Sequence, residues 1–228
     1  GEDTFTYTVD DGSGLADTLT APDTNNIWAI TAADSGAVAG VAFDGFENLV
    51  GGSADDTFSF TDGANATGSI HGGPGLGTDT LDYSAWTTPL TVSLDAFAIG
   101  FEQVTGGSAS DTLQGASATN AWSISGSDSG TVGATAFAGF ENLAGNALSD
   151  SFTFGAAGSI SGNISGAAGS DTVTGPDANT AWTINGSGTG TLTTLGGAFT
   201  EIEILTGGGL DDSFSINAGG TITGAIIG

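Results

Sequence analysis

Apolar and polar residues alternate along most of this chain in segments of only a few residues. The alternation is clearest at 28–30, 122–124 and 182–184, each Trp-x-Ile, and at 58–60, 152–154 and 214–216, which begin with Phe. Segments with a period of two, bounded by Gly, Asn, Asp or Ser, predict short β-strands joined by tight turns. Glycine is too frequent for an apolar stripe of helical period to persist, so the pattern predicts an all-β protein.

These strands belong to a larger unit that occurs three times. Its Trp-containing part spans 24–49, 119–143 and, more loosely, 179–205, and a glycine corner and a G-x-I-x-G segment follow each copy. Such recurrence indicates an array in which each unit buries its apolar face against the next. We predict a parallel β-helix (β-solenoid) of about 20 residues per coil, with like side chains stacked ~4.8 Å apart. The alternative fold, a β-sandwich of tandem domains, would need longer strands without internal half-repeats.

The first 21 residues follow a different pattern. Phe5, Tyr7 and Val9 alternate with polar residues, the segment DDGSG follows at 10–14, and a second strand completes a predicted N-terminal β-hairpin. This hairpin either caps the first coil or closes a preceding module.

The predicted domains are therefore the hairpin at 1–21 and a β-solenoid at 22–228, built of repeats 22–115, 116–175 and 176–228. The chain begins with Gly rather than Met and stops inside a repeat, which predicts a section of a longer protein.

The composition narrows the range of functions. The 228 residues include 26 Asp and Glu, one His, and no Lys, Arg or Cys, for a net charge of −26. Nucleic acids and anionic membrane surfaces are bound through basic side chains, so we expect neither as a partner. The absence of Cys excludes disulfides and thiolate chemistry. The sequence contains no apolar run of about 18 residues, so it predicts no transmembrane helix. The 38% of hydrophobic residues oppose the disorder that so high a charge would otherwise indicate.

The glycine corner is the candidate site, because it places an Asp shortly before the returning apolar residue. The residues in this position are Asp56, Asp111, Asp150, Asp171 and Asp212. In one interpretation the glycines adopt positive φ and each Asp accepts backbone N–H groups, so the corner is structural. In the other, the five Asp residues bind calcium, which takes six to eight oxygens and would therefore require adjacent coils to align. No metal site is assigned, no cofactor is required, and the five Asp residues remain the calcium candidates.

The sequence does not predict an enzyme, and no catalytic or cofactor-binding residue is assigned. A lyase acting on polyuronates would need cationic side chains, which the chain lacks. Carboxylate pairs such as Asp55/Asp56 could serve a hydrolase, but they lie inside the structural repeat, and His71 has no partner at motif spacing. Thr pairs such as Thr191/Thr193 suggest an ice-binding solenoid, but they are out of register with the repeat, which favours ordinary outward-facing strand residues.

Two patterns resemble known families. The unit W-x-I…G-T-V…F-x-N-L-x-G-G…D-T-F…G-x-I-x-G, over roughly 22–228, resembles the β-helical repeats of large secreted bacterial adhesins of haemagglutinin-like or repeats-in-toxin-like type. Gly51, Gly52, Asp56 and Phe58 match the calcium-binding nonapeptide G-G-x-G-x-D-x-U-x, although Ala54 replaces its third Gly and the copies are not in tandem. The segment at 3–12 resembles the closing hairpin of cadherin-like and Ig-like modules.

The resemblance implies an extracellular or cell-surface protein that takes part in adhesion or matrix building. We therefore predict a structural segment of a bacterial surface stalk, biofilm-matrix filament or adhesin, with a polysaccharide or cell surface as its target. Exposed strands at the ends of a solenoid would favour end-to-end self-association. A calcium-binding repeats-in-toxin-like adhesin segment is the alternative, followed by a polysaccharide-active β-helix enzyme and an ice-binding solenoid.

Overall fold

The computed structural model describes residues 6–8, 17–95 and 98–228, and this part of the chain is all-β. The described residues form strands, turns and bends but no helix, so no helix long and apolar enough to cross a membrane occurs among them. The coarse prediction, an all-β chain of short strands, is confirmed.

The strands up to residue 105 are β1 (Thr6–Thr8), β2 (Thr18–Thr20), β3 (Asn26–Ala32), β4 (Ser35–Val38), β5 (Val41–Asp44), β6 (Asn48–Val50), β7 (Asp56–Phe60), β8 (Ile70–His71), β9 (Thr80–Asp82), β10 (Thr91–Ser93), β11 (Ala98–Ile99) and β12 (Gln103–Thr105). The later strands are β13 (Thr112–Gln114), β14 (Ala121–Gly126), β15 (Ser129–Val132), β16 (Thr135–Ala138), β17 (Asn142–Asn146), β18 (Ser151–Phe154), β19 (Ile164–Ala167), β20 (Thr172–Thr174), β21 (Ala181–Gly186), β22 (Thr189–Leu192), β23 (Phe199–Thr200), β24 (Ile204–Thr206), β25 (Ser213–Ile216) and β26 (Ile226–Ile227).

The chain divides into two compact units. Residues 1–89 and 93–109 form the first unit, and residues 90–92 and 110–228 form the second. The predicted division at residue 21 and into three repeats stays a prediction.

The first unit contains two sheets. One has the order β1-β2-β6-β8-β11, with β1 antiparallel to β2 and parallel pairing elsewhere. The other follows the order β5-β4-β3-β7-β9-β12 and is parallel except for the antiparallel meander β3–β5. The predicted N-terminal hairpin thus has its two strands paired, while its DDGSG turn at 10–14 lies outside the described residues.

The second unit also has two sheets, and each of them contains an antiparallel meander. One sheet follows the order β16-β15-β14-β18-β20-β24-β26, with β14–β16 as the antiparallel meander. The other follows the order β10-β13-β17-β19-β23-β22-β21-β25, with β21–β23 as its meander. Successive strands of the chain, such as β17, β18, β19 and β20, alternate between the two sheets.

The core consists of columns of inward-facing side chains on the paired strands. Trp122 aligns with Phe152 on the next strand, Phe152 aligns with Val173, and Val173 aligns with Leu205. All four side chains are buried. Each strand therefore contributes apolar residues at alternate positions, as the period of two predicts.

The columns differ from the predicted ladders of like side chains. In each meander a buried Trp stacks on the Phe of the following parallel strand, with ring centroids 5.0 Å apart for Trp28–Phe58 and 5.5 Å for Trp122–Phe152. The prediction treated the Trp units as neighbouring layers, whereas each unit contains its own meander and the parallel strands that stack on it. Unlike side chains therefore occupy successive positions of one column.

Candidate functional site

The corner between β6 and β7 shows what the recurring spacing Gly-x-x-x-x-Asp does in the structure. Asp56, fully buried, accepts hydrogen bonds at Oδ1 from the backbone N–H (2.8 Å) and the side-chain Nδ2 (2.7 Å) of Asn26. Its Oδ2 accepts the backbone N–H of Gly52, four residues earlier, at 2.6 Å. One carboxylate thus closes its own turn and holds the start of β3, a strand 30 residues earlier.

The same arrangement recurs at the corner before β18. The Oδ1 atom of Asp150 accepts the backbone N–H (2.7 Å) and Nδ2 (2.9 Å) of Asn120, and its Oδ2 accepts the backbone N–H of Asn146 at 2.8 Å. These contacts match those of Asp56 atom for atom.

Asp212 repeats the geometry before β25. Its Oδ1 accepts the backbone N–H of Thr180 at 3.0 Å, and its Oδ2 accepts that of Gly208 at 2.8 Å. The predicted role of Asp as an acceptor of backbone N–H groups is therefore confirmed at these three corners.

The corner residues are linked into what we call carboxylate columns. In the first column, the backbone N–H of Asp56 donates to Oδ1 of Asp79 at 2.8 Å, and the backbone N–H of Asp79 donates to Oε2 of Glu102 at 2.8 Å. With Asn26 at its start, this column runs Asn26–Asp56–Asp79–Glu102.

The second column has the same order of residue types. The backbone N–H of Asp150 donates to Oδ1 of Asp171 at 2.7 Å, and the backbone N–H of Asp171 donates to Oε2 of Glu203 at 2.9 Å. It runs Asn120–Asp150–Asp171–Glu203. A shorter column lies on the other sheet of this unit. There Oδ1 of Asp111 accepts the backbone N–H of Leu90 at 3.0 Å, and the backbone N–H of Asp111 donates to Oε2 of Glu141 at 2.8 Å.

The glutamates that end these columns were missed by sequence reasoning. Glu102, Glu141 and Glu203 accept the backbone N–H of an Asp at 2.8 to 2.9 Å, and Glu47 accepts that of Asp17 at 3.1 Å. The available signal was the fixed distance between this Glu and the following glycine corner in FENLVGG, FEQVTGG and IEILTGG. Asp79 was also missed, because its longer corner, GGPGLGTD, departs from the common spacing.

The corner glycines have a different role from the predicted one. Positive φ occurs elsewhere, and neither Gly51 nor Gly52 adopts it. A Cβ on Gly51 would overlap Oδ2 of Asp56 and the carbonyl oxygen of Gly72, and a Cβ on Gly52 would overlap the carbonyl oxygen of Pro22. The glycines are required because the buried carboxylate and the neighbouring backbone approach them closely, and the prediction of positive φ at these two residues is wrong.

Burial dominates the electrostatics of the columns. Desolvation raises the pKa of Asp56, Asp79 and Asp171, while hydrogen bonds from backbone N–H groups oppose the rise. At Asp171 the neighbouring carboxylates of Glu203, Asp150 and Glu201 raise the pKa further. The chain has no Lys or Arg, so no such side chain offsets the burial of these carboxyl groups, and the hydrogen bonds that they accept oppose its cost.

Asp171 differs from the other corner aspartates in its second oxygen. Oδ2 is buried without a hydrogen-bond partner among the described residues, whereas Oδ2 of Asp150 accepts the backbone N–H of Asn146. The residue four positions before Asp171 is Ala167, whose φ of 67° places it in the left-handed region. The loop GAAGSD therefore turns differently and offers no backbone N–H to this oxygen.

The five calcium candidates lie at corners of this kind. The structure brings Asp150 and Asp171 together in one column, and it places Asp56, Asp111 and Asp212 at separate corners. Among the described residues, no group of three or more Asp, Glu or His side chains is arranged to hold a metal ion. Calcium binding stays a prediction.

A second set of acidic anchors, at the tips of the meanders, was not anticipated. Asp34 and Asp128 adopt positive φ, 51° and 47°, in the turns after β3 and β14. The carboxylate of Asp34 accepts the backbone N–H (2.7 Å) and Oγ1 (2.8 Å) of Thr67, and that of Asp128 accepts the backbone N–H of Ser161 (2.7 Å). The signal was a D-S-G tripeptide that begins six residues after Trp28 and again six residues after Trp122.

Comparison of the chain with protein-family models, curated proteins and solved structures gives no match.

Proposed function

We propose that this chain is a β-solenoid segment with a structural role in an extracellular stalk, matrix filament or adhesin of a bacterium. Two features support the solenoid: successive strands alternate between two sheets, and each parallel strand pairs with one that lies 21 to 35 positions away in the chain. Such winding buries a thin core between neighbouring layers and can be extended by repetition.

The observation that carries the structural role is the use of the corner carboxylates. In a chain of 26 acidic residues, the buried Asp side chains are engaged with backbone N–H groups of the preceding layer. The recurring motif therefore joins layers, and its repetition serves the fold rather than a single reaction centre. An extracellular location agrees with the charge of −26, because dissolved salt screens repulsion between exposed carboxylates.

Small-angle X-ray scattering and negative-stain imaging of the intact chain test this proposal. The proposal expects an elongated particle whose length grows as further copies of the repeat are fused to it. A compact, nearly spherical particle, or a length that is unchanged by an added repeat, contradicts it.

The calcium-binding alternative draws on one observation, the unpartnered Oδ2 of Asp171. Melting temperature is followed as millimolar calcium is added to EDTA-treated protein, with magnesium as the control ion. Calcium binding at this corner would raise the melting temperature of the native chain and not that of Asp171→Asn. No shift in either protein removes the alternative and leaves the structural role standing.

A further inference from the structure

In the second unit, the sheet that contains β14, β18, β20 and β24 has an outward face of uncharged side chains. On each strand these side chains alternate with buried apolar residues of the core, as Thr153 does between Phe152 and Phe154. The parallel pairing of the four strands aligns their outward residues in two rows, with no shift of register. The first row is Ser123, Thr153, Thr174 and Thr206, and the second row is Ala121, Ser151, Thr172 and Ile204. We call these two rows the hydroxyl face.

The hydroxyl groups of this face are available to water. All residues of both rows are at least partly exposed. None of the Ser and Thr side chains in the rows has a hydrogen-bond partner among the described residues. Each hydroxyl can donate one hydrogen bond and accept two, so the face presents a set of unused donors and acceptors to the solvent.

The first unit has a comparable row that differs in its charge. This row is Ala29, Ser59, Asp82 and Thr105. Asp82 lies three residues after Asp79 of the first carboxylate column, as Thr174 lies three residues after Asp171 of the second. Asp82 also accepts a hydrogen bond from Oγ of Ser59 at 3.3 Å. The hydroxyl face of the second unit therefore stands out as a neutral surface in a chain with 26 acidic residues.

The spacing of the hydroxyl face is regular in two directions. Paired strands lie ~4.8 Å apart, and outward residues two positions apart on one strand are separated by about 6.6 Å. Such an array matches a neutral partner that itself repeats in two directions. The oxygen atoms at a surface of ice repeat at distances of similar size, and each of them can exchange hydrogen bonds with a hydroxyl group. Neither row contains an aromatic residue on which a sugar ring could stack.

We propose that the hydroxyl face binds ice. Its hydroxyl groups hold a layer of water in the order of the lattice, and the methyl groups of the threonines restrict the other positions of that water. A carboxylate holds a hydration shell of its own, so the row with Asp82 is not expected to take part. The Thr pair Thr191/Thr193, considered in the sequence, lies outside both rows. The proposal goes beyond the structural role and does not depend on it, because it requires only the register of four strands within one unit.

Thermal hysteresis, the gap between the melting point of a seeded ice crystal and the temperature at which it grows, tests the proposal on the intact chain and two variants. Thr174→Asp places a carboxylate in the hydroxyl face, at a position where the first unit already accommodates Asp82. Thr57→Asp adds the same charge to an outward row of the first unit, between Ile27 and Thr80, and is the matched control. The native chain and Thr57→Asp are expected to show a gap, and Thr174→Asp no more than serum albumin shows. Circular dichroism verifies that each variant folds.

Partition of the labelled protein into a slowly growing ice crystal measures binding independently of the gap. A native chain that shows no gap and is excluded from the ice overturns the proposal. A gap that persists in Thr174→Asp, or that both variants lose equally, overturns it as well. Binding to an insoluble polysaccharide that Thr174→Asp abolishes, without activity on ice, would assign the face to that other partner instead. None of these results affects the proposed structural role, which is tested by the length of the particle.

Discussion

The backbone N–H of Asp150 donates to Oδ1 of Asp171 at 2.7 Å, so two buried carboxylates of like charge are direct neighbours in one column. Their second oxygens differ: Oδ2 of Asp150 accepts the backbone N–H of Asn146, and Oδ2 of Asp171 has no partner among the described residues. The same substitution, Asp to Asn, should therefore have different effects on stability at the two positions.

Asp150→Asn is expected to lower the free energy of unfolding by about 2–4 kcal/mol, because an amide nitrogen at the Oδ2 position leaves the N–H of Asn146 without an acceptor. Asp171→Asn should leave stability unchanged or raise it at neutral pH, because it removes a buried charge and retains an oxygen for Asp150. Urea denaturation measures the free energy of unfolding of both variants, and Asp211→Asn, at an exposed position, is the control. Equal losses at the two positions would contradict the distinction between the two oxygens.

The buried carboxylates also predict the pH dependence of stability. Burial raises the pKa of Asp56, Asp79 and Asp171 in the folded state above the unfolded value, so the folded state binds protons more tightly. The free energy of unfolding should therefore increase as the pH falls from neutrality through the raised folded values, and level off near the unfolded pKa of about 3.9.

Urea denaturation at several pH values, at constant ionic strength, measures this slope. Asp171→Asn should reduce it by removing one of the contributing groups. A stability that falls steadily on acidification from neutral pH would show that other carboxylates, with lowered pKa values, dominate.

A third prediction concerns one backbone position shared by the repeats. Gly45, Gly100 and Gly139 precede the Phe-Glu pair of their units with φ of 72 to 74°, whereas the third Trp unit has Glu201 there with φ of 57°. Glu201→Gly should stabilise the chain by about 1 kcal/mol, since a non-glycine residue in this conformation is strained. Part of the gain is offset by loss of the exposed hydrogen bond from Ser165 Oγ to Glu201 Oε2 (2.8 Å).

Gly139→Glu is the reverse change and should destabilise by a similar amount, about 1–2 kcal/mol. Thermal denaturation of Glu201→Gly and Gly139→Glu measures the two changes in stability. Loss of stability from Glu201→Gly would mean that the side-chain contact outweighs the backbone strain.

The close approach at the glycine corners can be separated from glycine flexibility by two alanine substitutions. Gly52→Ala should cost about 3 kcal/mol, because the methyl group overlaps the carbonyl oxygen of Pro22 and displaces the N–H that Asp56 accepts. Gly63→Ala should cost about 1 kcal/mol, since Gly63 has φ of 81° but no atom within 4 Å of the added methyl. Denaturation curves of the two variants give the loss in free energy of unfolding for each. A larger loss for Gly63→Ala than for Gly52→Ala would contradict the role assigned to close packing at Gly52.

Strand positions could be predicted because a period of two is a local property. The segment at 58–60 is predicted from its two Phe residues, and both are buried on β7. The strand partners could not be predicted, because pairing depends on which segments of a repeat form the antiparallel meander. The sequence around Trp28 is equally compatible with stacking on another Trp and with stacking on Phe58. The solenoid itself therefore remains part of the proposal.

The corner was predicted in part for similar reasons. Asp56 and Asp150 stand in a turn pattern typical of side chains that accept backbone N–H groups, and this part is confirmed. Glu102 resembles any polar residue beside a strand, and its role appears only once the register brings the backbone N–H of Asp79 to it. Gly51 was assigned the correct place for the wrong reason, because close packing between distant segments leaves no mark in a single sequence.

The carboxylate columns have a direction that bears on how such a chain is made. Every carboxylate accepts from a residue that precedes it in the sequence, by 30 positions for Asp56 and Asp150, 21 for Asp171 and 23 for Glu102. During synthesis from the N-terminus, the backbone N–H group of each layer has no acceptor until the acidic residue of the following layer has been made. The chain is thus suited to vectorial folding, in which the carboxylate of each new layer accepts a backbone N–H group of the layer before it and so stabilises that layer.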